Sequence, residues 1–186
     1  VRPHWTADGQ SVSFISSEDT DFDVYVRRAD GTLPTEKLVD LDQPVFEAIW
    51  SRDGAWLVLR IGGGDGERDI WAQHLGTDSA PTRLLATDFD ENAVTLSPDG
   101  RWLAYQSDES GTDEIYVRPF PNISAGKWTV SLGGGSQPLW AHSGRELFYV
   151  HGAGAGRVMM AAQIRTSPTF EVTERRTLFP VPPSQY

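Results

Sequence analysis

The sequence contains no cysteine and no apolar run as long as a membrane span. Without cysteine the chain has no disulfide and no thiolate ligand for zinc. A transmembrane helix needs about 20 predominantly apolar residues, so this segment is not expected to insert into a membrane. Disulfide-stapled domains, cysteine zinc sites and helical membrane anchors are therefore excluded for this segment.

Basic residues are also scarce, with 16 Lys and Arg against 26 Asp and Glu and a net charge of −10 over 186 residues. Such a chain repels the phosphates of nucleic acids, so nucleic acid is not an expected partner. Residues 1–5 have neither an initiator Met nor the features of a signal peptide. We interpret both ends of the sequence as cuts between repeats of a longer chain.

One short motif is present four times: a large apolar residue followed by a tight turn that ends in Gly. The four copies are Trp5-Thr6-Ala7-Asp8-Gly9, Trp50-Ser51-Arg52-Asp53-Gly54, Leu96-Ser97-Pro98-Asp99-Gly100 and Trp140-Ala141-His142-Ser143-Gly144. Their starts are 45, 46 and 44 residues apart. A repeat of this length with several short strands per unit is typical of β-propeller blades.

The third repeat shows the predicted strands most clearly. It contains apolar or β-branched runs at 91–96, 102–107, 114–120 and 127–132, separated by Gly-, Asp- and Ser-rich turns. The sequence therefore predicts an all-β propeller segment over 1–186, with four four-stranded blades at about 1–43, 44–88, 89–133 and 134–186. The opening residues Trp5, Trp50, Leu96 and Trp140 are expected to pack between neighbouring blades.

The motifs Leu96-Ser97-Pro98-Asp99-Gly100, Glu114-Ile115-Tyr116-Val117 and Asp23-Val24-Tyr25-Val26 resemble the TolB-type, WD-like propeller repeat. Residues 116–121 and 133–138 resemble most the C-terminal propellers of bacterial membrane Ser/Thr protein kinases. The fourth repeat departs from the pattern, since His142 and Ser143 replace Pro and Asp.

The resemblance implies a non-catalytic recognition or scaffold module in an extracytoplasmic, periplasmic or secreted setting. TolB-type rings usually have six or more blades, so four repeats leave three arrangements open. The chain is part of a larger ring, or it associates with a second copy, or it closes or extends as a four-blade unit.

Catalytic motifs are missing from the sequence. There is no Gly-x-Ser-x-Gly nucleophile elbow, and Gly62-Gly63-Gly64-Asp65-Gly66 lacks the Lys of a P-loop. The four His residues have no i, i+4 metal spacing. We therefore expect no enzyme activity, no catalytic residue and no cofactor in this chain.

The metal candidates of the sequence lie in the acidic turn at residues 18–23. Asp19, Asp21 and Asp23 alternate as hard-cation ligands do, but the turn lacks the Gly and the closing Glu of an EF-hand loop. Ca²⁺ binding there is a minor alternative to ordinary turn chemistry.

Polar residues just before each opening residue are the candidate binding residues, because these positions line the central channel of a propeller. They are Arg2, His4, Glu47, Glu91, Asn92, Ser136 and Gln137. The alternative is that they only fill a hydrated channel.

Three functions remain open. The first is a module that binds a protein or a small ligand at the channel or blade edges, as part of a larger sensor or TolB-like protein. The second is the substrate-gating propeller of a prolyl-oligopeptidase-type serine hydrolase whose catalytic domain lies outside this sequence. The third is a structural subunit that self-associates through open blade faces.

Overall fold

The computed structural model describes residues 3–17, 22–62 and 68–182. Within these ranges the chain forms sixteen strands in four antiparallel four-stranded sheets, with two single 3₁₀ turns at Ile123–Ala125 and Gly154–Gly156. This confirms the predicted all-β propeller architecture with four blades. The chain divides into two compact units, 1–92 and 93–186, which are described separately below.

The first unit contains sheets one and two, each with its strands in chain order from one edge to the other. Sheet one consists of β1 (His4–Trp5), β2 (Ser11–Ser16), β3 (Asp23–Arg28) and β4 (Glu36–Val39). Sheet two consists of β5 (Val45–Trp50), β6 (Trp56–Ile61), β7 (Asp69–His74) and β8 (Thr82–Leu85).

The second unit contains sheet four and all of sheet three except the start of its first strand. Sheet three consists of β9 (Glu91–Leu96), β10 (Trp102–Ser107), β11 (Glu114–Pro119) and β12 (Trp128–Thr129). Sheet four consists of β13 (Ser136–Trp140), β14 (Glu146–His151), β15 (Val158–Arg165) and β16 (Glu171–Pro180). The last two strands have eight and ten residues.

The repeated turn between the first and second strands is built by a Ser and an Asp two residues apart. In sheet three the Ser97 hydroxyl donates to Asp99 Oδ1 at 2.6 Å and accepts from the Trp102 amide at 3.0 Å. The amide of Gly100 donates to the Ser97 carbonyl at 2.8 Å, with Gly100 at φ +70°. Side chain and backbone together thus fix the start of β10.

The same bonds recur in the first unit. Ser51 donates to Asp53 Oδ1 at 2.5 Å, and Thr6 donates to Asp8 Oδ1 at 2.6 Å. These hydroxyl bonds hold the pKa of Asp53 and of Asp8 below their usual range, with help from the amides of Ala55 and Gln10. The turns therefore favour ionised Asp.

The fourth turn lacks this network. Ala141 replaces the hydroxyl residue, and Ser143 at the Asp position accepts only a 3.3 Å bond from the Arg145 amide. The backbone bond from Gly144 to the Ala141 carbonyl remains, at 2.9 Å. The departure from the repeat pattern therefore removes the side-chain part of the turn and leaves its backbone geometry intact.

In the first unit, sheets one and two pack through one apolar cluster. Ile15 and Val24 of sheet one contact a layer that includes Leu57 and Leu59 of sheet two, all at most 4% exposed. Trp50 packs against this cluster, and its Nε1 donates to Ser13 Oγ at 2.8 Å. The predicted role of this opening residue in blade packing is therefore observed.

In the second unit, sheets three and four pack in the same way. Trp140 and Leu147 of sheet four join a buried cluster with Ala104, Ile115 and Val117 of sheet three. Two further links cross this interface: Phe170 contacts the rings of Trp102 and Trp128, and Arg175 Nε donates to the Val130 carbonyl at 2.6 Å.

Trp5 does not follow the prediction for opening residues. Its side chain is 62% exposed, whereas Trp140 is 6% exposed. The physical reason is positional: Trp50 and Trp140 pack on the sheet before their own, and sheet one has no sheet before it in this sequence.

Across the three described stretches of chain, we find no helix long and apolar enough to cross a membrane.

Candidate binding site at the first strands

The candidate residues lie on or beside β1, β5, β9 and β13, each of which is an edge strand of its sheet. Two of these strands are irregular. The pairing of β5 with β6 shifts between Val45 and Glu47, and that of β13 with β14 shifts between Ser136 and Leu139. Such bulges redirect side chains and interrupt pairing at an edge.

Glu47 is held by its neighbouring strand. Its side chain lies opposite Arg60, and Glu47 Oε1 is 3.2 Å from Arg60 Nε. The two side chains are only 9% and 13% exposed, and Arg60 also donates to the Gly62 carbonyl at 3.2 Å. Glu47 is therefore a fixed, largely buried carboxylate within the sheet.

Glu91 is more deeply buried, at 1% exposure. The Thr87 hydroxyl donates to its carboxylate, and its own amide donates to the Arg68 carbonyl at 2.9 Å. Asn92, the next residue, is half-buried. These bonds fix the start of β9 within the first unit.

Gln137 is exposed and has a left-handed backbone, with φ +56°. Its amide donates to Gln106 Oε1 at 3.2 Å, and Ser136 beside it donates to the Val150 carbonyl at 3.4 Å. Ala93 has nearly the same backbone, with φ +50°. Ala93 therefore occupies the position in β9 that Gln137 occupies in β13.

The distance to the opening residue of each repeat gives the same equivalence. Ala93, three residues before Leu96, matches Gln137, three residues before Trp140, so Asn92 matches Ser136 instead. Gln106 was not predicted as part of the site. Only the fold brings the side-chain oxygen of Gln106 to the backbone amide of Gln137, 31 residues away along the chain.

His4 is exposed in β1, and its carbonyl accepts a 3.3 Å bond from Ser13 Oγ. Arg2 lies outside the described residues. His4 and Gln137 are thus exposed to solvent. Glu47 and Glu91 are buried, and their carboxylates are bonded to other side chains.

Of the three acidic-turn candidates, only Asp23 lies among the described residues. Its side chain is 3% exposed and its Oδ2 is 2.9 Å from Lys37 Nζ. That hydrogen bond raises the pKa of Lys37. Within residues 3–17, 22–62 and 68–182, no group of three or more His, Asp or Glu side chains is arranged to hold a metal.

A buried polar network in the second unit was not predicted. Glu114, at the start of β11, accepts bonds from the Ser131 hydroxyl and, at 2.8 Å, from the Gly134 amide. The Gly134 carbonyl in turn is 2.7 Å from His151 Nδ1. This network holds the connection from sheet three to sheet four just before Ser136 and Gln137. Its only sequence signal is the acidic residue that begins the Asp-Ile-Tyr-Val pattern.

Comparison with known families supports the fold. The family model described as the TolB beta propeller domain matches residues 1–180. Among solved structures, TolB from Acinetobacter baumannii superposes with a TM-score of 0.71 at 20% identity, over 97% of this chain and 43% of that one.

Peptidases are also similar to this chain. A puromycin-hydrolyzing peptidase from Mycobacterium tuberculosis superposes with a TM-score of 0.67 at 16% identity, over 95% of this chain and 30% of that one. The uncharacterized peptidase YuxL from Bacillus subtilis (strain 168) is 24% identical over a 147-residue alignment, and the match covers 60% of this chain and 22% of that protein. The chain thus spans less than half of each of these proteins.

Proposed function

This chain belongs to the TolB β-propeller domain family, and from that premise we propose that it is a non-catalytic recognition module. It binds a protein or a small ligand along the first strands of its sheets, and it serves as the recognition part of a larger sensor or TolB-like protein. In a propeller these strands face the central channel, where ligands meet the blades.

The observation that carries the proposal is the left-handed backbone shared by Ala93 and Gln137. A non-glycine residue in this region is uncommon, and such strain is concentrated at binding and switch sites. At Gln137 the strained backbone is held by Gln106 while the side-chain amide is exposed. A fixed backbone that presents a free amide suits recognition, because little conformational entropy is lost on binding.

The non-catalytic part of the proposal follows from the chemistry of the site. The two buried carboxylates among the candidate residues, Glu47 and Glu91, are bonded to Arg60 and Thr87. General acid or base catalysis would require a carboxylate aimed at a substrate. The sequence also lacks a nucleophile elbow.

The test uses a phage-displayed library of 12-residue peptides selected on the wild-type chain. The enriched peptide is synthesised with a fluorophore, and its Kd is measured by anisotropy. Gln137→Gly removes the side chain but tolerates the positive φ. We expect it to weaken binding by about tenfold, as removal of an interface anchor does.

The matched control is Thr112→Ala, at another exposed polar position, in the turn before β11. It should leave the Kd unchanged. Equal effects of the two variants, or a peptide that binds both as tightly as wild type, would contradict recognition at the first strands.

A second candidate function is the gating of a peptidase active site. The similarity to YuxL and to the puromycin-hydrolyzing peptidase favours it. Sequencing the parent gene on both sides of residues 1–186 separates the candidates. A downstream hydrolase domain with a Ser-Asp-His triad would support gating, whereas a membrane span and a kinase domain would support a sensor. We also propose an extracytoplasmic location, to be tested by cell fractionation of the parent protein.

A further inference from the structure

The tetrapeptide Thr-Asp-Phe-Asp occurs twice in the first unit, at residues 20–23 and 87–90. The structure describes Phe22 and Asp23 of the first copy and the whole of the second copy. Both Phe side chains are open to solvent, with exposures of 40% for Phe22 and 41% for Phe89. Aromatic side chains are enriched at protein interfaces, so two exposed copies of one motif indicate an interaction surface.

Phe22 lies at the end of sheet two where β5 begins. Its carbonyl accepts a hydrogen bond from the Val45 amide at 2.6 Å, and its ring centroid is 5.4 Å from that of Phe46. Phe46 is half-buried, and the guanidinium of Arg60 lies over its ring at 4.8 Å from the centroid. Phe22 is therefore the most exposed member of a fixed stack of three side chains.

Phe89 lies at the same end of sheet two, where β7 begins. The carboxylate of Asp90, the next residue, is 3.6 Å from the guanidinium of Arg68. The Glu91 amide also donates to the Arg68 carbonyl at 2.9 Å. Arg68 immediately precedes β7, so these bonds fix the connection that carries Phe89 against sheet two.

The two places are close enough for one short peptide. Val45 in β5 lies opposite Ile61 in β6, and Ile61 lies opposite Asp69 in β7. Neighbouring strands are about 4.8 Å apart, so Val45 and Asp69 are separated by about 10 Å. An extended peptide spans about 3.3 Å per residue, so a segment of about three to five residues reaches from one Phe to the other.

The first unit itself shows what such aromatic side chains bind. Three times a basic side chain lies over an aromatic ring and beside a carboxylate one or two residues from that ring. The three sets are Lys37 over Tyr25 beside Asp23, Arg60 over Phe46 beside Glu47, and Arg83 over Trp71 beside Asp69. In the described ranges of the chain, no basic side chain lies over the ring of Phe22 or of Phe89.

Charge at this end of sheet two also favours a basic partner. Lys37, Arg60 and Arg68 are each bound to an acidic side chain. Asp42 and Asp88 are exposed, and neither forms an ion pair within the part of the chain that the structure describes. Uncompensated carboxylates attract basic segments and repel acidic ones. We name this surface the phenylalanine surface, and its members are Phe22, Asp42, Phe46, Asp88 and Phe89.

We propose that the phenylalanine surface binds an extended segment of another protein in which two Arg side chains are three to five residues apart. One guanidinium lies over Phe89 beside Asp88, and the other lies over Phe22 on the side of Asp42. Arg suits these places better than Lys, because its planar guanidinium stacks on aromatic rings and pairs with carboxylates. The proposal concerns the first unit and does not rest on recognition at Gln137.

The probes are synthetic peptides with an N-terminal fluorescein and two Arg residues separated by two, three or four Ser residues. In matched control peptides citrulline replaces both Arg residues, which keeps the shape of the side chain and removes its charge. Fluorescence anisotropy with the chain 1–186 gives the Kd of each peptide. We expect the best Arg peptide to bind at least about tenfold more tightly than its citrulline control.

Variants of the chain locate the site. Phe22→Leu and Phe89→Leu keep an apolar side chain and remove the aromatic ring, and each should weaken binding of the best Arg peptide about fivefold. Phe89→Trp should bind it at least as tightly as wild type, because Trp forms the strongest cation–π contacts. The control is Leu33→Ala, since Leu33 is 52% exposed but lies in the connection between β3 and β4. It should leave the Kd unchanged, and circular dichroism melts check that all variants are folded.

Three results would overturn the proposal. Equal Kd values for the Arg and citrulline peptides, or no measurable binding of either, would show that the surface does not take basic side chains. An unchanged Kd in both Phe→Leu variants would show that only the general negative charge attracts the peptide. A loss in Leu33→Ala as large as in the Phe variants would place the binding elsewhere. None of these results bears on the effect of Gln137→Gly, so this inference and the proposed function are tested independently.

Discussion

The turn network makes a quantitative prediction for Ser97→Ala. The Ser97 side chain is 3% exposed, donates to Asp99 at 2.6 Å and accepts from the Trp102 amide at 3.0 Å. Removing the hydroxyl deletes two hydrogen bonds, each with a net contribution of about 1 kcal/mol. We therefore expect a loss of about 2 kcal/mol in the free energy of unfolding.

The assay is thermal unfolding followed by circular dichroism and calorimetry. For a chain of this length, 1 kcal/mol corresponds to about 2–4 °C in Tm. Ser97→Ala should therefore lower the Tm by about 4–8 °C. Ser143→Ala is the matched control in the fourth turn, where the hydroxyl makes a single 3.3 Å bond, and it should change the Tm by less than about 2 °C.

The reverse experiment repairs the fourth turn. The double variant Ala141→Ser, Ser143→Asp restores the pair seen in sheet three on a backbone that already has Gly144 at φ +67°. It should stabilise the chain by about 1 kcal/mol. The hydroxyl–carboxylate pair does not determine turn stability if Ser97→Ala has the same Tm as wild type, or if the repaired variant has a lower Tm than wild type.

Two further predictions concern other parts of the fold. A Cβ on Gly135 would lie 2.5 Å from the Ser131 side chain, so Gly135→Ala should lower the free energy of unfolding, measured in urea titrations, by about 1–3 kcal/mol. The control Gly156→Ala should be nearly neutral, because no atom lies near the added Cβ. Equal effects of the two substitutions would refute this prediction. The pKa of Asp53 is lowered in the folded state, so its contribution to folding stability is present above the unfolded pKa of about 4 and is lost as the pH falls through the folded pKa. Because the Ser51 hydroxyl is the main cause of this shift, Ser51→Ala should make the Tm fall less steeply as the pH is lowered into the acid range. An unchanged dependence of Tm on pH would contradict this prediction.

The turns and second strands were predictable because their signals are local. Ser, Asp and Gly within four residues build the turn at residues 97–100, and the apolar run that follows is β10. The packing of Trp50 and Trp140 was also predictable, because a large apolar residue at a fixed place in each repeat is expected to pack against a neighbouring sheet.

The details of the site were not predictable, because they depend on strand register. Counting three residues back from Leu96 and from Trp140 gives Ala93 and Gln137, but only the structure shows that both residues have a left-handed backbone. A bulge adds a residue to one strand without any mark in the sequence. The pair Glu47–Arg60 likewise requires the register of β5 on β6.

The environment of the acidic turn was also difficult to predict, because it too depends on strand register. A run of alternating carboxylates suggests a cation site, yet Asp23 is buried beside Lys37, which arrives from β4. The pairing of β3 with β4 is interrupted by a bulge between Val24 and Tyr25. Local sequence cannot show which cation a carboxylate will meet from a strand 14 residues away.

Recognition at the first strands is tested most directly by hydrogen exchange of the chain with and without the selected peptide. Our account predicts slower exchange of amides in β13, at Ser136–Trp140, with no change in the outer strand β16, at Glu171–Pro180. Protection of β16 with unchanged exchange in β13 would contradict it, because the ligand would then bind at the outer edge of the sheet.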